Sequence, residues 1–133
     1  MRPQYSPWGE IQHCEELCPG VYQVSTASHG GVMAKLSVAS KLFSRAARAY
    51  SFVEGGYLCF EENCDSPVAI RELIDKGLCK APVNQYYGPG EYEAAIDRSI
   101  QLYQPEYWAY REKRRLQQQE RNQLSFFHQE LER

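Results

Sequence analysis

The sequence predicts an α+β domain: a small antiparallel sheet of about three strands, flanking helices and a long C-terminal helix. Three observations point there. Short runs rich in β-branched and aromatic residues cluster near the start, around the turn dipeptide Pro19-Gly20. Apolar residues then recur at spacings of three and four, the period of an amphipathic helix. From Pro105 onward no glycine or proline interrupts the chain, which leaves room for one continuous helix.

Taken in order, Glu10–Leu17 and Val21–Thr26 read as two strands joined through Cys18-Pro19-Gly20 into a hairpin. Ser28-His29-Gly30-Gly31 follows and reads as a turn, because paired glycines weaken the middle of any regular element. Ser37 is placed to cap a helix over Val38–Tyr50, with Val38, Leu42, Ala46 and Ala49 as its apolar stripe. Gly55-Gly56 break the pattern, and Tyr57–Glu61 reads as the third strand. Asp65 or Ser66 then caps a helix with Pro67 in its first turn and Gly77 at its end; Ile70, Leu73 and Ile74 form its inner face. Residues 81–90 carry two prolines, two glycines and Asn84, and so form a loop. Glu91–Tyr103 is the plainest helix, with Tyr92, Ala95, Ile96, Ser99, Ile100 and Tyr103 along one side. Pro105 ends it and opens the last helix, which runs to about Arg133 and has a polar waist over Leu116–Gln123. A helix with such a waist cannot bury its whole length, so its end is expected to project or dock on a partner. The natural division is an α+β core over residues 1–79 and a helical extension over 80–133.

Composition limits the function classes. The 133 residues hold 43% apolar and 24% charged side chains, an ordinary balance for one folded domain. A net charge of −2 gives the chain as a whole no pull toward nucleic acid or anionic lipid. The charge is uneven, with eight acids and four bases in residues 61–100 against five acids and six bases in 101–133. Met1–Glu10 has no apolar segment of the secretory kind, and no apolar run nears the ~18 residues of a membrane span, so a cytoplasmic protein is expected. Five scattered cysteines fit a reducing compartment.

Several constellations bear on chemistry. Ser28, His29, Gly30 and Gly31 combine an imidazole with backbone N–H groups that glycine leaves accessible, a ligand-binding candidate. Glu61 and Glu62 end the third strand on opposite faces, so only one of them can share a side with His29. Cys14-x3-Cys18 and Cys59-x4-Cys64 have spacings compatible with zinc, but lack glycine-rich knuckles and read better as small apolar residues; neither metal nor cofactor is expected. Glu91, Glu93 and Asp97 form an acidic flank suited to a basic partner. Trp108 with Arg111, Arg114 and Arg115 is the one basic aromatic stretch; glutamates interrupt it, and nucleic acid is not the expected partner. Gln123, Leu124, Ser125, Phe126 and Phe127 resemble the pentapeptide by which bacterial proteins dock on the replication sliding clamp, with Phe126 where Leu is commoner; the same residues also read as the apolar face of a terminal helix, through Leu124, Phe127 and Leu131.

Pro7-Trp8-Gly9, Pro19-Gly20, Val24-Ser25-Thr26-Ala27-Ser28-His29-Gly30-Gly31 and Phe60-Glu61-Glu62 with Asp65 together resemble a small domain family carried by bacterial plasmids, integrative elements and phages. The resemblance covers roughly residues 6–75. It implies a mobile-element setting and brings no established enzymatic activity with it, and at the positions of Cys14 and Cys18 it usually has residues that do not bind metal. The expectation drawn from all of this is an accessory protein that binds a host or phage protein complex, inhibiting a host defence system. Two alternatives stand beside it: a small-molecule or nucleotide site, or an enzyme, at Ser28–Gly31, and a DNA-metabolism accessory tethered to the sliding clamp. Self-association is left open.

Overall fold

The computed structural model describes residues 2–132 and contains five strands and five helices among them. These are β1 His13–Cys18, β2 Val21–Ser25, β3 Gly30–Lys35, α1 Leu36–Leu42, α2 Arg45–Arg48, β4 Phe52–Glu54, β5 Tyr57–Glu61, α3 Ser66–Asp75, α4 Glu91–Tyr103 and α5 Pro105–Leu131. The strands form one antiparallel sheet in the order β1-β2-β3-β5-β4.

The class is α+β, but the sheet has five strands where about three were expected. The Tyr57–Glu61 segment is the fifth strand, not the third. The first extra strand is β3, which starts at the glycine pair: Gly30 faces Ser25 and Gly31 faces Val24 across the ladder. The expected turn therefore shortens to residues 26–29. Glycine is required at Gly31 by packing, not by turn geometry. A Cβ there would lie 2.2 Å from the Phe60 carbonyl oxygen and 2.5 Å from Cη2 of Trp8. The second extra strand is β4, three exposed residues closed onto β5 through Gly55 and Gly56, both at positive φ. Two consecutive left-handed residues suit a tight hairpin, the role these glycines play where the sequence showed only a helix breaker.

The helix expected over Val38–Tyr50 is two short helices. Phe43 is extended (φ −117°, ψ 135°) and turns its ring into the core, 5.1 Å from Phe60. Ser44 restarts the helix by accepting a hydrogen bond from Ala47 N–H at its Oγ. The bounds of α4 match the structure closely, and α3 has Pro67 in its first turn and Gly77 just beyond its end at φ 71°. Asp65 stands at the N-cap position but makes no side-chain cap hydrogen bond, its carboxylate accepting from Gln104 instead.

Each face of the sheet has its own apolar cluster. On one, Val21, Val32, Ala34, Leu58 and Phe60 pack under Val68, Ala69 and Leu73 of α3, with Ile96, Ile100 and Tyr107 from α4 and α5. On the other, Tyr22, Val24, Met33 and Cys59 lie under Trp8 and Ile11 of the N-terminal segment. Eight consecutive residues of α3, Ser66–Leu73, are buried, which makes it the central helix of the molecule.

Candidate functional site

The polar side chains of α3 explain what holds the helical layer together. Arg71 is buried among the apolar residues of α3, yet it meets three carboxylates. Its Nε donates to Asp75 at 3.1 Å, its Nη1 to Asp97 at 2.9 Å and its Nη2 to Glu93 at 2.8 Å. Arg111 grips Asp75 from α5 with two parallel N–H donors, at 2.8 and 3.0 Å. Burial disfavours the charge on Asp75, but the Arg111 hydrogen bonds and the two guanidinium charges outweigh it and hold this carboxyl below its ordinary pKa. One turn away, Glu72 accepts hydrogen bonds from Ser44 N–H, Ser44 Oγ–H and the Tyr107 hydroxyl. Burial and then the neighbouring Glu72 charge raise the Tyr107 phenol far above its usual range, so it stays a neutral donor.

Much of the expected partner-binding set is thereby placed. Glu93 and Asp97 point back to Arg71 and do not form a free acidic flank; only Glu91 stays fully outside the network. Trp108 is half-buried and carries the Arg111 guanidinium 5.1 Å above its ring. Arg114 lies over Tyr110 and donates to its hydroxyl, and Arg115 donates to Glu112. Sequence reading missed Arg71, Glu72 and Asp75. The available signal was a charged trio inside a stretch otherwise apolar at Val68, Ala69, Ile70 and Leu73.

The hairpin tip is arranged differently from a pocket built on His29. Ser28 and His29 are exposed at the end of the β2–β3 loop. Thr26 organises that loop: its N–H donates to the His29 carbonyl, and its hydroxyl sits between the carbonyls of His29 and Trp8. An open depression of about 440 Å³ lies beside it, lined by His13, Cys14, Glu15, Gln23, Val24, Ser25, Gly31 and Glu62. Of the two carboxylates that end β5, Glu62 is the one at this depression, and His13 rather than His29 is the imidazole there. No sequence signal tied His13 to Glu62, because β1 and the end of β5 meet only through the sheet.

The cysteine spacings do not translate into a site. Cys18 packs in the cluster beneath the helices, whereas Cys14 and Cys59 face the cluster beneath Trp8, so the sheet stands between them.

The last surface is the outer half of α5. Residues 113–132 are exposed at every position. Leu116 (58%), Leu124 (68%), Phe126 (64%), Phe127 (61%) and Leu131 (69%) stand in solvent. The expected polar waist and projecting end both occur here. At about 100° per residue, Leu116, Leu124, Phe127 and Leu131 share one side, while Phe126 sits about 100° round from Phe127.

Fold and surfaces define a small α+β domain whose last helix extends beyond its own core. The chain belongs to a family described as a domain of unknown function (DUF7007), whose model matches residues 1–130. That match continues through α4 and most of α5, beyond the residues 6–75 that carried the sequence resemblance. No curated protein and no solved structure matches the chain. No helix among the described residues is long and apolar enough to cross a membrane.

Proposed function

We propose that the protein acts by binding another protein, and that the outer half of α5 makes the contact. One observation carries this reading. Four large apolar side chains form a single stripe on a helix segment that packs on nothing in its own chain. An unsupported helix of this kind is marginal in water, and an amphipathic helix laid into an apolar groove gains both burial and order. The mobile-element setting, with inhibition of a host defence complex as the outcome, is supported by the sequence resemblance. The acidic flank adds little to it, because Glu93 and Asp97 are occupied by Arg71.

The test is a set of substitutions on that stripe. Leu124→Ser/Phe127→Ser/Leu131→Ser alters only exposed positions, so the folded domain should keep its circular dichroism and melting profile. Protein captured from host lysate by the wild type is identified by mass spectrometry and then titrated in purified form. Loss of affinity by tenfold or more in the triple variant is the expected result. Equal affinity of variant and wild type would overturn the reading. Purified sliding clamp serves as a separate arm. A helical Gln123–Phe127 presents Phe126 and Phe127 in different directions, so clamp binding requires the end of α5 to unwind, and the triple variant should abolish it.

A further inference from the structure

A second face of α5 carries a different chemistry. Tyr107, Tyr110, Arg111, Arg114, Gln117, Gln118 and Arg121 recur at three- and four-residue spacings, so the side that is buried at the root of the helix continues outward as a basic ridge. Lys76, at the end of α3, faces it. Between them lies a groove of about 520 Å³.

Its charge is one-sided. Five cations border it, Lys76, Arg111, Arg114, Arg115 and Arg121, against two carboxylates, Glu72 and Asp75, an excess of three positive charges. Both carboxylates are already engaged, Asp75 by Arg71 and Arg111 and Glu72 by Ser44 and Tyr107. Of the cations, Arg111 is committed to Asp75, and the other four are less so. Lys76 donates to the Leu42 carbonyl, Arg115 to Glu112 and Arg114 to the Tyr110 hydroxyl. The Tyr110 ring holds the Arg114 guanidinium in place 5.6 Å from its centroid. A guanidinium steadied in this way keeps its outer N–H donors for a tetrahedral oxyanion.

We propose that this groove binds the phosphodiester backbone of a single-stranded nucleic acid. From Arg114 to Arg121 the less committed cations are strung along about 10 Å of helix and do not converge on one point. A single phosphate meets only one or two of them, whereas a chain with a charge at every nucleotide meets them in succession. A flexible single strand can follow such a line of cations along the helix with successive phosphates. The amides of Gln117 and Gln118 stand between the cations and can hydrogen-bond sugars or bases without selecting sequence. The net charge of −2 does not oppose this, because the carboxylates nearest the groove are engaged: Asp75, Glu93 and Asp97 are paired with Arg71, and Glu72 is hydrogen-bonded to Ser44 and Tyr107. The inference is independent of the protein-binding reading, since it uses a different side of α5.

Fluorescence anisotropy with a labelled oligothymidine, read over a range of salt concentrations, tests it on the full chain. The wild type should bind, and Arg114→Ala/Arg121→Ala should bind at least tenfold more weakly. The slope of log affinity against log salt should fall by about 0.7 for each cation removed. Both arginines are exposed, so the melting temperature should not move. Lys113→Ala, outside the groove, should bind like the wild type. Unlabelled single strand should displace the probe, while ATP and inorganic phosphate should do so only weakly. Absence of strand binding at low salt overturns the proposal. So does displacement by ATP at the same concentration as by strand, which would mark a nucleotide site, or preferential binding of polyglutamate, which would mark an acidic protein partner. The Leu124/Phe127/Leu131 variant should bind the strand normally, which separates this outcome from that of the protein-binding test.

Discussion

Gly31 shows at single-residue scale how chemistry and packing can be confused. Paired glycines beside a histidine suggest a cradle for an anion, and that reading made Ser28–Gly31 a ligand candidate. In the folded chain the missing side chain of Gly31 makes room for the indole of Trp8 on β3. The sequence contained both partners, since Trp8 and Gly31 lie in the same resemblance, but nothing local linked them. Gly31→Ala is expected to destabilise the fold by about 3 kcal/mol, toward the upper end for overpacking, because one of the atoms met is backbone and cannot rotate aside. Urea unfolding followed by Trp fluorescence measures this. A change under about 0.5 kcal/mol, the size of an ordinary surface substitution, would mean that Trp8 does not pack there. His29→Ala, on the exposed tip, should leave stability near the wild-type value.

At the scale of elements, what was legible depended on how local the determinant is. The β1–β2 hairpin, the glycine stop of α3 and the extent of α4 follow from neighbours within a few residues, and they match the structure. The N-terminal side-chain cap expected of Asp65 or Ser66 does not form, because Gln104 and the Glu62 carbonyl take those groups. The break between α1 and α2 was not, because Phe43 leaves the helix to meet Phe60 and Ser44 is tethered by Glu72 from α3. Nor was β4, whose three exposed residues carry no alternation of burial. The acidic residues of α4 illustrate the same limit. Glu93 and Asp97 look like a free flank until α3 brings Arg71 beneath them. Removing Arg71 leaves those carboxylates and Asp75 facing one another, and Arg71→Ala is expected to cost about 3 kcal/mol, the lower end for a broken buried pair because the partners are partly exposed.

The same network sets a pH dependence. The carboxyl of Asp75 has a lower pKa folded than unfolded, so it stabilises the fold above its ordinary value, and this contribution is lost as pH falls below about 4 toward the folded value. Asp65 works in the opposite sense, since burial raises its pKa, and acid protonates it readily in the fold. The difference in unfolding free energy between wild type and Asp75→Asn isolates the first effect. That difference should be largest at neutral pH and shrink as the solution is acidified from pH 5 to pH 2. A difference that stays constant over this window would show that Asp75 is not held ionised by Arg71 and Arg111.

At the scale of the whole molecule, α5 is one helix with two physical situations. Its root contributes Tyr107 and Arg111 to the core and to the ion-pair network, while residues 113–132 bury nothing. Both candidate surfaces occupy that outer part, the apolar stripe on one side and the basic ridge on another. Stability and function should therefore separate along the helix. A chain ending at Glu112 should keep its melting temperature within a few degrees, since surface segments without buried contacts contribute little to the cooperative unit. It should nevertheless lose both protein capture and single-strand binding. Ending the chain at Gln104 removes the Tyr107–Glu72 and Arg111–Asp75 hydrogen bonds and should unfold the domain. Hydrogen exchange offers the complementary measurement on the intact chain. Amides of residues 113–132 should exchange at rates set by local fraying, while those of α3 exchange only through global opening. Protection of the outer helix comparable to that of α3, in dilute protein without partner, would mean that this segment is covered in solution by a second copy of the chain, and the apolar stripe would then be a self-association surface.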